Sequence, residues 1–263
     1  MAITKADVHI WFKLADEGLI PPDPDVLELG EAEWYGDYHY GEIPAIIEKY
    51  ARPADRKSLI DAAESLIHGE RPVAEMPLVS FDFARLFYIA LLRYKTITTI
   101  DLGGTDNAQK FDLNLPVNSG KQFDIIINTG TFEHLFNISQ GFRTSHDLCK
   151  PAGLMFHAFP FQGWLDHGFW NINPTLLADL ASVNRYQQVF CVYFEPETGR
   201  VEWLGSNPVV RIHAMAKANT LGRNSLLYIV WRKRTDADFV IPQQGHYANT
   251  LAPELQKDWL DMR

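Results

Sequence analysis

The side chains best suited to chemistry fall within residues 96–137, TITTIDLGGTDNAQKFDLNLPVNSGKQFDIIINTGTFEHLFN. Short apolar runs in this stretch each end on a polar residue. Thr99-Ile100 leads into Asp101, Lys110-Phe111 into Asp112, and Ile125 to Ile127 into Asn128. Buried parallel strands read as such runs, and ligands of open α/β sheets sit at the strands' carboxyl ends. A carboxylate at such an end can accept from both hydroxyls of a ribose. Two carboxylates and a Gly-rich turn, delivered by successive strand ends, suggest a nucleoside-shaped ligand. The plainer alternative is a strand-rich α/β core with ordinary turn Asp and Gly residues.

Composition sets the frame that must position these groups. A chain of 263 residues with 46% hydrophobic and 22% charged content can bury a core and suits one large domain better than two. A net charge of −9 argues against a phosphate backbone as partner, since nucleic-acid binding needs clustered Lys and Arg. The expected partner is a small molecule, with a homo-oligomer left open. Cys149 and Cys191 lie far apart without a CxxC partner, which supports neither a metal knuckle nor a disulfide framework; both read as core fillers. The N-terminal segment MAITKADVHIWFKLADEG carries charges through its apolar positions and is not a signal peptide. No run approaches the ~20 apolar residues of a membrane span, so the default expectation is a cytoplasmic protein away from the membrane.

In chain order, Thr4 and Asp7 form a capping signal for a first helix with Val8, Trp11, Phe12 and Ala15 as its stripe, stopped at Gly18. Asp25 to Gly30 (DVLELG) reads as a buried strand running into a turn, with Glu28 before Gly30 and a second glycine, Gly36, further on. Three helices are expected between Gly36 and Thr96: a short one from Gly41 to Tyr50, one from Pro53 to His68, and FDFARLFYIALLRY after Ser80. The last is apolar nearly all round, as suits either a core helix or a cover over an apolar cleft. Thr131 to Lys150 reads as a helix and Gly153 to Pro160 as a strand. Phe161 to Asn173 reads as an aromatic loop, and Asn173-Pro174 as a helix cap. Gln188 to Glu195 and Leu226 to Arg232 read as final strands, with 196–224 unassigned. The expected architecture is α/β: a doubly wound, mostly parallel, seven-stranded Rossmann-like sheet with helices on both faces. It is expected as a single domain over 1–263 with a helical insertion, a lid or cap, at about 43–95.

Three segments resemble class I methyltransferases that use S-adenosylmethionine. These are Asp112-Leu113-Asn114-Leu115-Pro116, then Phe123-Asp124-Ile125-Ile126-Ile127, then Gly130-Thr131-Phe132-Glu133-His134. In that family an acidic segment of the kind D-x-x-L-P precedes a fourth strand beginning FD and a helix opening near EH. Lys150-Pro151-Ala152-Gly153-Leu154 resembles the family's L-K-P-G-G entry to the fifth strand. The likeness spans roughly residues 24–160. It implies S-adenosylmethionine as cofactor, with Glu28 and Gly30 in the first motif beside the methionine part. It also implies Asp101, with Leu102 after it, at the ribose hydroxyls, and Asp112 and Leu113 beside the adenine. Asn128, Thr129 and Gly130 would lie along the methionine and its sulfonium. The chain departs from the family in lacking Gly-x-Gly-x-Gly, and about 70 residues separate Gly30 from Asp101, where the family usually needs far fewer.

The implied reaction is methyl transfer to oxygen or nitrogen of a small organic acceptor, such as a natural-product intermediate or a sugar. Such a displacement needs alignment and, for a hydroxyl acceptor, removal of a proton, to which histidine is suited. The candidates are His167, with Asp166 fixing its tautomer, and His134; His157, inside a strand, reads as a core histidine. A metal is left open but unsupported and none is assigned: Asp166, His167 and His157 could converge, yet they show no i, i+4 or CxxC ligand spacing. The Trp and Phe residues of 161–170 suit an apolar acceptor pocket. Two alternatives remain. One is a protein of the same fold without transferase activity, acting as a partner subunit. The other is a nicotinamide-dependent oxidoreductase, which would normally show G-x-G-x-x-G, absent here.

Overall fold

Residues 2–35, 39–69 and 76–245 are described in a computed structural model, with only the backbone described at 76–78. Gly36 and the chain beyond Gly245 lie outside them. The chain divides into two compact units, 1–110 and 111–263.

In the first unit, β1 (Ala2–Ile3) pairs in parallel with β3 (Glu33–Trp34), and α1 spans Lys5–Asp16. Its capping box is formed: Thr4 accepts from the Ala6 amide, and Asp7 accepts from the Thr4 amide at 2.9 Å. β2 (Asp25–Leu29) runs parallel to β4 (Thr96–Ile100), from Asp25 opposite Thr96 to Leu29 opposite Ile100. Between them come α2 (Ile43–Tyr50), α3 (Arg56–His68) and α4 (Met76–Leu92). On α3, Leu59, Leu66 and Ile67 are half-buried, Ala62 is exposed and Ala63 is the buried residue. The helix expected from Ser80 begins earlier, at Met76. Phe83, Phe87 and Leu91 are each 0% exposed, and Phe87 meets Trp34 with ring centroids 5.3 Å apart. Burying one such side chain stabilises by roughly 1.5–3 kcal/mol. The all-round apolar sequence of α4 thus matches a core helix of this unit.

The second unit contains β5 (Phe123–Thr129), α5 (Ile138–Leu148), β6 (Cys149–Gln162) and α6 (Pro174–Val183). After them come β7 (Gln187–Glu195), β8 (Arg200–Trp203), α7 (Pro208–Lys217) and β9 (Ser225–Arg232). β5 and β6 are parallel, joined through α5, whereas β9 is antiparallel to both β6 and β7 and β8 is antiparallel to β7. Among the described residues, β1–β3, β2–β4 and β5–β6 pair in parallel. Asn173 caps α6 by accepting from the Thr175 amide, with Pro174 at its first position. The segment left unassigned in sequence, 196–224, forms β8 and α7. His157 is buried among Phe132, Phe142, Phe159 and Trp231, and burial pushes its imidazole down to about 3.

The first unit orders its longer strands β4-β2 and the second unit orders its strands β5-β6-β9-β7-β8, seven in all. The fold is α/β as expected, but one strand differs. Lys110-Phe111 forms no strand: Phe111 is exposed, and pairing beyond β4 stops at a single bridge between Ile100 and Gln109. A two-residue run of which neither side chain is buried is too short to hold a ladder. The following Asp112 instead accepts from the Asn114 amide and side chain, a local turn that competes with extension. The hairpin strand β8 makes up the count of seven.

Candidate functional site

At the carboxyl ends of β2 and β4 the first unit builds a carboxylate cluster from Glu28, Glu31 and Asp101. Gly30 adopts φ +90° and donates its amide to Ile100 O at 2.7 Å, turning the chain out of β2. Asp101 is half-buried and rigidly held. One carboxylate oxygen accepts from the Glu31 amide at 2.8 Å and the other from the Gly103 amide at 2.7 Å. A carboxylate offers about four acceptor sites, so this anchoring still leaves one on each oxygen. Leu102 beside it is 62% exposed.

Glu31, which the sequence did not single out, closes the turn after β4. It is 5% exposed, accepts from the Thr105 amide and hydroxyl, and lies 4.0 Å from the Arg85 guanidinium. Gly104 is required here, because a Cβ would stand 2.7 Å from a Glu31 carboxylate oxygen. Glu28 is oriented inward. Its oxygens accept from the Ala32 amide at 3.0 Å and the Thr99 hydroxyl at 2.8 Å, and burial pushes its carboxyl up to about 7. Glu28, Glu31, Ala32, Arg85 and Tyr88 line one small cavity, in which the Tyr88 hydroxyl is buried without a hydrogen-bond partner among the described residues.

The second unit, by itself, holds two further groups of candidate residues. The Asp112–Asn114 turn is tied to the start of α5, since Asn114 accepts from the Asn137 amide at 2.9 Å. Hydrogen bonds from Asn114 hold the Asp112 carboxyl below its usual range, and Leu113 beside it is buried. At the end of β5, Asn128 is fully buried and its side-chain oxygen accepts from the Thr131 and Phe132 amides. Its side chain braces the turn, and the backbone of Thr129 and Gly130 (φ +93°) forms the strand end.

Beyond that turn the predicted helix starts late. Phe132 to His134 is a single 3-10 turn and α5 begins at Ile138, so His134 precedes the helix rather than opening it. Glu133 lies in this turn, 1% exposed, and its backbone carbonyl accepts from the Phe169 amide at 2.7 Å. Trp170 fastens the same loop by donating its indole N–H to Leu135 O at 2.8 Å. The loop thereby brings His167 to Glu133, with Nε2 3.6 Å from Oε1, and sets the His134 and His167 rings 5.0 Å apart. The Glu133 carboxylate raises the His167 pKa above its ordinary value. Asp166, expected to orient His167, is exposed with φ +68°, and the carboxylate facing the ring is that of Glu133. Exposed Phe136 and Phe169, meeting edge to face at 6.1 Å, flank this cluster. Glu133 was legible only as a neighbour of His134 in the EH motif.

No family model and no curated protein matches the chain. Among solved structures it is similar to N-methyltransferase NodS from Bradyrhizobium japonicum WM9 in complex with S-adenosyl-L-homocysteine. The identity is 10%, 88% of this chain and 89% of that one are covered, and the TM-score is 0.44. It is similar also to the [4+2]-cyclase SpnF, at 10% identity, 88% and 82% coverage and a TM-score of 0.40. A third is coclaurine N-methyltransferase bound to N-methylheliamine and S-adenosylhomocysteine, at 12% identity, 86% and 73% coverage and a TM-score of 0.39. No helix among the described residues is long and apolar enough to cross a membrane.

Proposed function

We propose that the protein binds S-adenosylmethionine and transfers its methyl group to oxygen or nitrogen of a small organic acceptor. The observation that carries this reading is Asp101: a carboxylate at the end of a parallel strand, fixed by two backbone amides, with an acceptor site left on each oxygen. That arrangement fits a ribose diol. Gly30 and Gly130, both at positive φ after a strand, make the sharp turns that end those strands. Asp112 would accept from the adenine amine beside Leu113, and Thr129 and Gly130 would hold the methionine part. Glu28 acts through the strand ends it ties together rather than by touching the cofactor, because it is only 3% exposed and its carboxyl is turned inward to Ala32 and Thr99.

When bound, the cofactor supplies an electrophilic methyl carbon on a sulfonium. Held there, that carbon would be open to the acceptor's oxygen or nitrogen, with S-adenosylhomocysteine as leaving group and the acceptor's proton lost to solvent. The protein's task is alignment and exclusion of water. Exposed Phe136 and Phe169 offer an apolar surface beside polar Glu133, His134 and His167, which suits an organic acceptor carrying a polar reacting atom. Calorimetric titration with S-adenosylhomocysteine and NADH in parallel tests the reading. Binding of the first alone supports it; binding of NADH alone supports an oxidoreductase, and binding of neither a partner subunit.

A further inference from the structure

Glu133, His134 and His167 each offer a ligand atom, and these atoms all lie within 4.8 Å of one another. We propose that this trio binds a divalent first-row transition cation, of the Mn²⁺ or Zn²⁺ type, on the solvent-facing side of the 131–137 turn.

The contact between Glu133 Oε1 and His167 Nε2, at 3.6 Å, is too long for a hydrogen bond, which prefers about 2.7–3.2 Å. It matches the spacing of two atoms sharing one ion at about 2.1 Å with an angle near 120°. The other Glu133 oxygen, Oε2, is buried without a hydrogen-bond partner among the described residues. A buried carboxylate in that condition is costly unless a cation compensates it.

The surroundings hold the carboxylate in place. A Cβ at Gly130 would come 3.0 Å from Glu133 Oε1, and one at Gly168 would come 2.9 Å from the Glu133 carbonyl oxygen. Both segments therefore close on Glu133 only because they carry glycine. The Phe169 and Trp170 amides, which donate to the same carbonyl, fix the loop bearing His167 against the turn bearing His134. Preorganised ligands of this kind lose little freedom when an ion arrives.

Two imidazoles and one carboxylate favour a transition cation over Mg²⁺ or Ca²⁺, which select all-oxygen sites. His134 and His167 are both exposed, so part of the coordination sphere opens to solvent beside Phe136 and Phe169. An acceptor oxygen could enter there, with its proton made more acidic by the cation and released to solvent. His167 is then a ligand rather than a free general base.

The test uses the tag-free full chain, stripped with chelator and titrated with MnCl₂ while free Mn²⁺ is read by electron paramagnetic resonance, with ZnCl₂ calorimetry alongside. The expected result is about one ion per chain, bound at least tenfold more weakly by both His134→Ala and His167→Ala. Each replaces an exposed side chain, and circular dichroism confirms the fold. Binding of no ion by the parent chain, or affinity within threefold of the parent in either variant, would overturn the proposal. The titration needs no cofactor, so its outcome is separate from that of the S-adenosylhomocysteine experiment.

Discussion

Changing Glu28 to Gln should remove a pH dependence from the first unit's stability. The carboxyl, ordinarily near 4.5, is pushed up to about 7 in the folded chain, chiefly because burial disfavours its charged form. Below pH 4.5 the group is neutral whether the chain is folded or not, and its hydrogen bonds to Ala32 and Thr99 are held without a buried charge. Between pH 4.5 and 7 the unfolded chain releases the proton while the folded chain retains it, so stability falls as pH rises. A displacement from 4.5 to about 7, at about 1.4 kcal/mol per pH unit, comes to roughly 3 kcal/mol, complete above pH 7. Glutamine keeps the shape and can accept from the Ala32 amide while donating to the Thr99 hydroxyl, so it retains both contacts without the charge. Urea unfolding at half-unit steps from pH 4.5 to 8, read by hydrogen exchange in peptides covering β2 and β4, isolates this unit. The variant should gain on the parent by roughly 3 kcal/mol across the window. A difference between the two that stays flat with pH would refute the buried, proton-retaining state of Glu28.

Three further outcomes are expected. Asp101→Ala should weaken S-adenosylhomocysteine binding by about 1.5–3 kcal/mol, the scale of lost hydrogen bonds to a charged group; unchanged calorimetric affinity in a folded variant would remove Asp101 from the ribose site. Gly130→Ala, at φ +93° and with its new Cβ 3.0 Å from Glu133 Oε1, should cost about 1–3 kcal/mol and lower the melting temperature; an unshifted melting curve would contradict the strained turn. Amides of residues 83–92 in α4 should exchange as slowly as those of β2, with or without S-adenosylhomocysteine, because the helix is core; ligand-dependent protection there would instead mark a lid.

Local signals carried much of the architecture. The Thr4–Asp7 capping box, the Asn173-Pro174 helix start and the apolar runs of β2, β4, β5, β6, β7 and β9 are decided within a few residues, by side-chain bonds to adjacent amides or by continuous apolar character. Asp101 and Gly30 were legible for the same reason, since a polar residue or glycine that ends a buried run marks a strand end. Tertiary structure decided the rest. Whether Lys110-Phe111 joined the sheet depended on a contest between a short ladder and the Asp112–Asn114 turn, and the turn prevailed. Which face of α4 is buried could not be read from a helix apolar all round. Its surroundings in the first unit settled that. Glu31 gained its role from Thr105 and Arg85, and Glu133 from His167 and the two glycines that close upon it. These partners are distant in sequence. Spacing rules register neighbours one helical turn or one strand pair away, whereas a carboxylate's environment in a folded chain is set by whichever loops pack against it.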